Sequence, residues 1–95
     1  DSSYSDSDYE KSIIEFYSDY GLGCTASKFI VDEFKKENPE VFFVSINASK
    51  QKDHPFIDEY KLFNTPTYVL INNKGEKIVR RVGTFNPTYF KKYLA

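Results

Sequence analysis

Cys24 is the residue of this chain best suited to covalent chemistry, and it is the only cysteine among the 95 residues. The apolar segment Ile13–Tyr17 precedes it and a helical pattern begins at Thr25, so Cys24 lies at a strand-to-helix turn. Backbone amides at the start of a helix stabilise a thiolate, which is the reactive form of cysteine. No second cysteine can close a disulfide within the chain, so redox chemistry would need an external thiol.

Glu15 and His54 are the other candidates for chemistry. Glu15 lies inside the apolar strand segment, where it is either an exposed alternation position or a buried carboxylate. His54, the only histidine, directly precedes Pro55, and we expect it at the start of a helix. One cysteine and one histidine cannot form a closed metal site, so the sequence predicts no metal cofactor.

Length and charge predict one small domain without affinity for nucleic acids or membranes. The chain has 13 Lys and Arg against 14 Asp and Glu, and its net charge of -1 gives no general attraction to nucleic acid or anionic lipid. No apolar run approaches the roughly 18 residues of a membrane span. Residues 1–12 are acidic and rich in serine, and we expect a flexible tail there, with the folded domain at residues 13–95.

The sequence leaves two cellular compartments open. We expect a cytoplasmic protein, and two features keep the secretory pathway open. The first residue is Asp1 rather than Met, as it would be after removal of a leader. The segment Asn47-Ala48-Ser49 matches a glycosylation sequon.

Hydrophobic periodicity and turn residues predict seven elements in the order βαβαββα. The apolar residues Ala26, Phe29, Ile30 and Phe34 are spaced as one face of the first helix. The segment Asn72–Gly75 is typical of a hairpin turn. Two strands joined by a crossover helix are parallel, so we predict an α/β fold with a central mixed four-stranded sheet flanked by helices. The predicted strands are 13–17, 41–46, 67–71 and 77–82, and the predicted helices are 25–36, 55–61 and 87–94.

Several segments together carry a resemblance to a known fold family. Thr65-Pro66-Thr67 precedes the hairpin, Lys74-Gly75-Glu76 forms its turn, and Gly21-Leu22-Gly23-Cys24 follows the aromatic segment Phe16–Tyr20. In order and spacing they resemble a thioredoxin-like domain over Ile13–Leu94. The resemblance implies a thioredoxin-like fold and a cis-proline at Pro66 that faces the active-site turn.

The resemblance also implies that the first cysteine of the family's C-x-x-C motif is missing. In an alignment without gaps, Gly21 takes the place of the attacking cysteine and Cys24 takes the place of the shielded second cysteine. A chain with the second cysteine alone has no dithiol cycle. Glu15 then matches the carboxylate that passes a proton to the second cysteine in this family, and Ser45 replaces the lysine that often accompanies it.

A second alignment is open, in which Cys24-Thr25-Ala26-Ser27 matches the C-x-x-S pattern of monothiol glutaredoxin-like proteins. Cys24 would then be the nucleophile, and Ser27 would stand in place of the resolving cysteine. We favour the ungapped alignment because it requires no compensating insertion and deletion.

Under the favoured alignment we predict a thioredoxin-fold protein without a dithiol active site and without a cofactor. It would bind a peptide or protein through the surface around Tyr20, Gly21, Leu22, Thr65 and Pro66. A proline of this kind leaves the backbone of the preceding residue available for pairing with an extended peptide. The alternative is a monothiol oxidoreductase in which Cys24 forms mixed disulfides with glutathione or a protein thiol.

The family's first strand and helix are short or missing in this chain, which predicts an uncovered sheet edge. Val41–Ile46 would become an edge strand made largely of apolar residues. Bare edges pair readily with other strands. We therefore expect either that residues 1–12 cover this edge or that two copies form a homodimer through it.

Overall fold

The computed structural model describes residues 9–19, 22–62 and 64–94. Within them the elements are β1 (Lys11–Tyr17), α1 (Leu22–Glu37), β2 (Val41–Asn47), α2 (Pro55–Glu59), β3 (Thr67–Asn72), β4 (Lys77–Val82) and α3 (Pro87–Lys91). The strands form one sheet in the order β2-β1-β3-β4. β1 is parallel to β2 and antiparallel to β3, and β3 is antiparallel to β4. The predicted element order and the mixed four-stranded sheet are confirmed.

The sheet is the middle of three layers because alternate residues of its central strands point to opposite faces. The core on the side of α1 and α3 contains Ile13, Val31, Phe34, Val41, Tyr68, Leu70, Phe85 and Phe90. The core on the side of α2 contains Ile14, Phe16, Ile46, Phe56, Tyr60, Val69 and Ile71. Because β1 and β3 are buried on both faces, their sequences are almost continuously apolar.

The ends of the elements differ from the prediction by up to three residues. β1 begins at Lys11, two residues before its predicted start, and pairs there with Val41 of β2. The ring of Tyr9 packs on Phe42, with ring centroids 5.2 Å apart. Part of the predicted tail therefore belongs to the sheet and its surroundings, while residues 1–8 lie outside the described residues.

The two short helices begin at prolines, as predicted, and each has a side chain that caps its first turn. The Nδ1 of His54 accepts a hydrogen bond from the backbone N–H of Phe56 (3.1 Å). The Oδ1 of Asn86 accepts one from the backbone N–H of Tyr89 (3.1 Å). These caps satisfy amide groups that have no partner inside the helix, and they assign His54 to the start of α2.

The predicted apolar face of α1 is wrong at two of its positions. Phe29 is 78% exposed and Ala26 is also exposed. The buried stripe instead contains Ser27, Val31 and Phe34, which are spaced i, i+4 and i+7. In this stripe the hydroxyl of Ser27 accepts a buried hydrogen bond, which periodicity of apolar residues alone does not reveal.

β2 lies at one edge of the described sheet, as the sequence led us to expect. Its sequence Val-Phe-Phe-Val-Ser-Ile-Asn contains no charged residue. At the opposite edge, β4 is mostly exposed and contains Lys77, Arg80 and Arg81. Only the β4 edge therefore has the charges that discourage strand pairing. Among the described residues, no helix has the length and apolarity needed to cross a bilayer.

Candidate functional site

Cys24 is the third residue of α1, and its side chain is half-buried. Its Sγ accepts a hydrogen bond from the backbone N–H of Ser18, over 3.4 Å. Ser18 directly follows β1, so this bond connects the end of the central strand to the first turn of the helix. The helix begins three residues before its predicted start, so the thiol lies in the first turn of α1 rather than in the turn before it, with a backbone donor directed at its sulfur.

A cleft of about 280 Å³ lies beside Cys24, between α1 and the sheet. Its lining residues are Glu15, Tyr17, Cys24, Lys28, Val31, Asp32, Lys35 and Ser45. The structure thus brings together Cys24 and Glu15, the two residues for which the sequence suggested chemistry. The cleft also contains charges of both signs, since Lys28, Lys35 and Asp32 are exposed at its rim.

Glu15 is neither fully exposed nor an unpartnered buried carboxylate. It is half-buried, and both of its oxygens accept hydrogen bonds from hydroxyl groups. Ser45 donates to Oε1 over 2.7 Å, and Tyr68 donates to Oε2 over 2.9 Å. Both donors lie directly opposite Glu15 in the register of the sheet, one on β2 and the other on β3.

Tyr68 is the buried member of this group, and sequence reasoning did not identify it. Its pKa lies above the ordinary value, mainly because burial disfavours the phenolate; a hydrogen bond with Ser27 acts in the opposite direction, and the charge of Glu15 adds to the increase. The phenol therefore remains protonated at neutral pH and available as a donor. Ser27, also fully buried, accepts a hydrogen bond from the backbone N–H of Phe85 (2.8 Å).

A second surface lies where the segment before β3 meets the end of β4. The Thr65–Pro66 peptide bond is cis. The carbonyl of Pro66 accepts a hydrogen bond from the backbone N–H of Gly83 (2.9 Å). Gly83 has a φ of 105°, a conformation that L-residues with a side chain rarely adopt. The side chain of Val82 beside it is 52% exposed.

Ser18 connects these two surfaces. Its hydroxyl accepts a hydrogen bond from the Oγ1 of Thr65 (3.1 Å), while its amide donates to the sulfur of Cys24. We refer to Thr65, Val82 and Gly83, together with Pro66, whose own side chain is buried, as the turn surface. The predicted site residues Thr65, Pro66 and Cys24 are thus connected through a serine to which the sequence analysis gave no role.

The structure does not test the other predicted binding residues. Tyr20 and Gly21 lie outside the described residues, and Leu22 begins α1. Their part in binding stays a prediction. Within residues 9–19, 22–62 and 64–94, no three His, Cys, Asp or Glu side chains cluster so that they could hold a metal ion.

The sequon residue Asn47 has a role inside the fold. It is only 7% exposed. Its amide donates to Oδ1 of Asp19 (2.9 Å), and its own Oδ1 accepts from the backbone N–H groups of Ser49 and Lys50. The side chain thus ties the loop after β1 to the loop after β2, and its nitrogen is enclosed in the folded domain.

Comparison with solved structures shows the fold. The thioredoxin of Fasciola hepatica matches with a TM-score of 0.79 at 22% identity, over 93% of this chain and 81% of that one. The oxidised form of mitochondrial thioredoxin 3 from Saccharomyces cerevisiae matches with a TM-score of 0.75 at 26% identity, over 90% and 76% of the two chains. The chain therefore has the thioredoxin fold.

Comparison with known sequences gives a more distant likeness. Monothiol glutaredoxin-4 of Schizosaccharomyces pombe is 27% identical over 79 residues. That region is 83% of this chain and 31% of the yeast protein, so the chain spans about a third of that relative. No protein-family model matches the chain. The result is a thioredoxin-fold protein with a single cysteine.

Proposed function

We propose that this domain binds extended segments of other proteins at the turn surface and has no dithiol active site. The observation that carries the proposal is the hydrogen bond from the amide of Gly83 to the carbonyl of Pro66, which holds the end of β4 beside the segment before β3. Val82 presents an exposed apolar side chain there, and Thr65 is half-buried beside it. A backbone edge next to an apolar side chain is suited to an extended peptide, because main-chain bonds give affinity and side-chain contacts give specificity.

The single cysteine supports the same proposal. A dithiol oxidoreductase attacks its substrate with one cysteine and releases it with a second. This chain has one. A partner held at the turn surface would therefore not be released by an internal resolving thiol, and binding is the function that remains for this surface.

A displayed library of random peptides tests the proposal. Peptides are selected for binding to the wild-type domain, and their affinities are then measured for two variants, V82K and I78K. Ile78 is an exposed apolar residue of the same strand, at the end away from Val82, so I78K is a matched control. We expect peptides that bind the wild type and I78K and lose about tenfold or more in affinity on V82K. Equal binding to V82K, or no enriched peptide, contradicts the proposal.

Monothiol chemistry at Cys24 is the second candidate, and the Ser18–Cys24 hydrogen bond favours it. A backbone donor stabilises negative charge on sulfur, and the thiol faces an open cleft. The likeness to a monothiol glutaredoxin points in the same direction. In this reaction the thiolate of Cys24 attacks one sulfur of glutathione disulfide, a mixed disulfide forms, and the other glutathione leaves as a thiolate.

Mass spectrometry after incubation with glutathione disulfide separates the two candidates. A monothiol enzyme acquires one glutathione per chain much faster than free cysteine does at the same pH, and C24S acquires none. A rate like that of free cysteine excludes the enzymatic candidate. The peptide-binding proposal is tested by substitutions at other residues, and neither result of this experiment contradicts it.

A further inference from the structure

Two positively charged side chains meet over one tyrosine ring where β4 lies beside α3. The guanidinium carbon of Arg81 is 4.3 Å from the centroid of the Tyr89 ring. The ammonium group of Lys92 is 5.0 Å from the same centroid. Arg81 belongs to β4, Tyr89 to α3, and Lys92 directly follows α3. We refer to these three residues as the basic cluster.

The ring of Tyr89 is a firm support for both cations. It is half-buried and packs against the core on the side of α1 and α3. Its centroid is 5.5 Å from that of Phe90 and 5.7 Å from that of Tyr93. The face of an aromatic ring attracts a cation. The ring therefore restricts two long side chains before any ligand arrives, which lowers the entropic cost of binding one.

The two charges of the basic cluster have no acidic partner in the described part of the chain. There, the ion pair that forms joins Lys91 to Glu37 and includes neither Arg81 nor Lys92. Since both distances to the ring end at the same centroid, the two charges are separated by no more than their sum. That sum is below the Debye length of about 10 Å in moderate salt. Their repulsion is therefore incompletely screened, and an anion bound to both would relieve it.

We propose that the basic cluster binds the phosphate group of a phosphorylated serine or threonine in a partner protein. A phosphate monoester carries about two negative charges near neutral pH, which match the two cations. The guanidinium of Arg81 lies over the ring and is exposed, so its N–H groups are available to bind two phosphate oxygens at once.

A nucleic acid fits the basic cluster less well than a single phosphate group does. Its backbone carries one negative charge per phosphate and is bound by a row of cations. The next cation along α3, Lys91, is paired with Glu37 and does not extend the cluster into such a row. The charge is concentrated at one point, which favours an isolated dianion.

The basic cluster is separate from the turn surface. Arg81 lies opposite Tyr68 in the register of β3 and β4, on the face of the sheet that α1 and α3 cover. Val82 is the next residue of the strand, so its side chain points to the other face. The inference therefore goes beyond the proposed function and does not depend on it.

Fluorescence anisotropy with two labelled pools of short random peptides tests the proposal. One pool has a central phosphoserine and the other has serine at that position. We expect the wild-type domain to bind the phosphoserine pool about tenfold more tightly or better. R81Q and K92Q should each weaken this binding about tenfold, because each removes a charged hydrogen-bond donor. R81K keeps the charge but loses the planar arrangement of donors, and its affinity should lie between those of the wild type and R81Q.

The exposed Lys28 of α1 provides a matched control, since K28Q removes one positive charge elsewhere on the surface. K28Q should bind the phosphoserine pool as the wild type does. Equal binding of the two pools by the wild type overturns the proposal, as does an equal loss in K28Q and R81Q. Two competitors identify other sources of phosphate. Displacement of the phosphopeptides by inorganic phosphate at the same concentration as unlabelled phosphopeptide, or preferential binding of a uridine oligonucleotide, also overturns it.

Discussion

The amide of Ser18 donates to the sulfur of Cys24 over 3.4 Å, while the hydroxyl of the same serine accepts a hydrogen bond from Thr65 over 3.1 Å. One residue thus links the start of α1 to the cis-proline segment before β3. The position of the thiol and the position of the turn surface are coupled through it. A change at Thr65 is therefore expected to reach Cys24 without direct contact between the two side chains.

A double-mutant cycle measures this link. S18A and T65V each remove one partner of the hydroxyl bond, and each should lower the free energy of unfolding by about 1 kcal/mol. The double variant should lose less free energy of unfolding than the two single variants lose together, because all three variants lack the same hydrogen bond. Urea unfolding gives the values, and T84V at an exposed threonine is the control. Strict additivity would show that the bond contributes nothing.

Restoring a second cysteine decides between the two alignments. The ungapped alignment predicts that G21C forms a disulfide with Cys24 and gains insulin-reducing activity that the wild type and C24S lack. The C-x-x-S alignment predicts this for S27C instead. Ser27 is fully buried and accepts the Phe85 amide, so we expect S27C to be destabilised and to keep two free thiols. Titration of free thiols after mild oxidation gives the answer.

The sequence predicted the elements well because each depends on local chemistry. Prolines and capping side chains mark the starts of α2 and α3, and apolar runs mark the strands. The partners of Glu15 could not be predicted in the same way. Tyr68 is 53 residues away along the chain, and it meets Glu15 only through the antiparallel register of β1 and β3. That register depends on how the intervening loops close, for which the sequence carries no periodic signal.

The orientation of α1 failed to follow from the sequence for a related reason. Counting apolar residues favoured a face that includes Phe29, while the folded helix buries Ser27 and exposes Phe29. A serine is buried when its hydroxyl finds partners, and here they are the Phe85 amide and Tyr68. Both partners come from distant parts of the chain, so a local pattern cannot identify them.

Tyr68 should make the domain less stable in alkali. Its pKa is raised above the ordinary value of 10.0 in the folded state, chiefly by burial. Below pH 10 the phenol is protonated in both states, and its contribution to stability is complete. Above pH 10 the unfolded chain loses this proton while the folded domain retains it, so stability falls as pH rises. Urea unfolding between pH 8 and pH 11 should show a steeper decline for the wild type than for Y68F. Parallel curves would contradict this.

The uncharged edge of β2 predicts self-association. The edge strand Val41–Asn47 has no charged side chain, and the ring of Tyr9 packs on it at Phe42. Antiparallel pairing of two such edges would satisfy the outer backbone groups of both copies. We expect a dimer in sedimentation equilibrium that F42K converts to a monomer, because a lysine on an edge strand must lose solvation on pairing. I78K at the opposite edge should remain dimeric. A wild-type domain that stays monomeric at high concentration would contradict the predicted dimer and favour the alternative, in which residues 1–12 cover this edge.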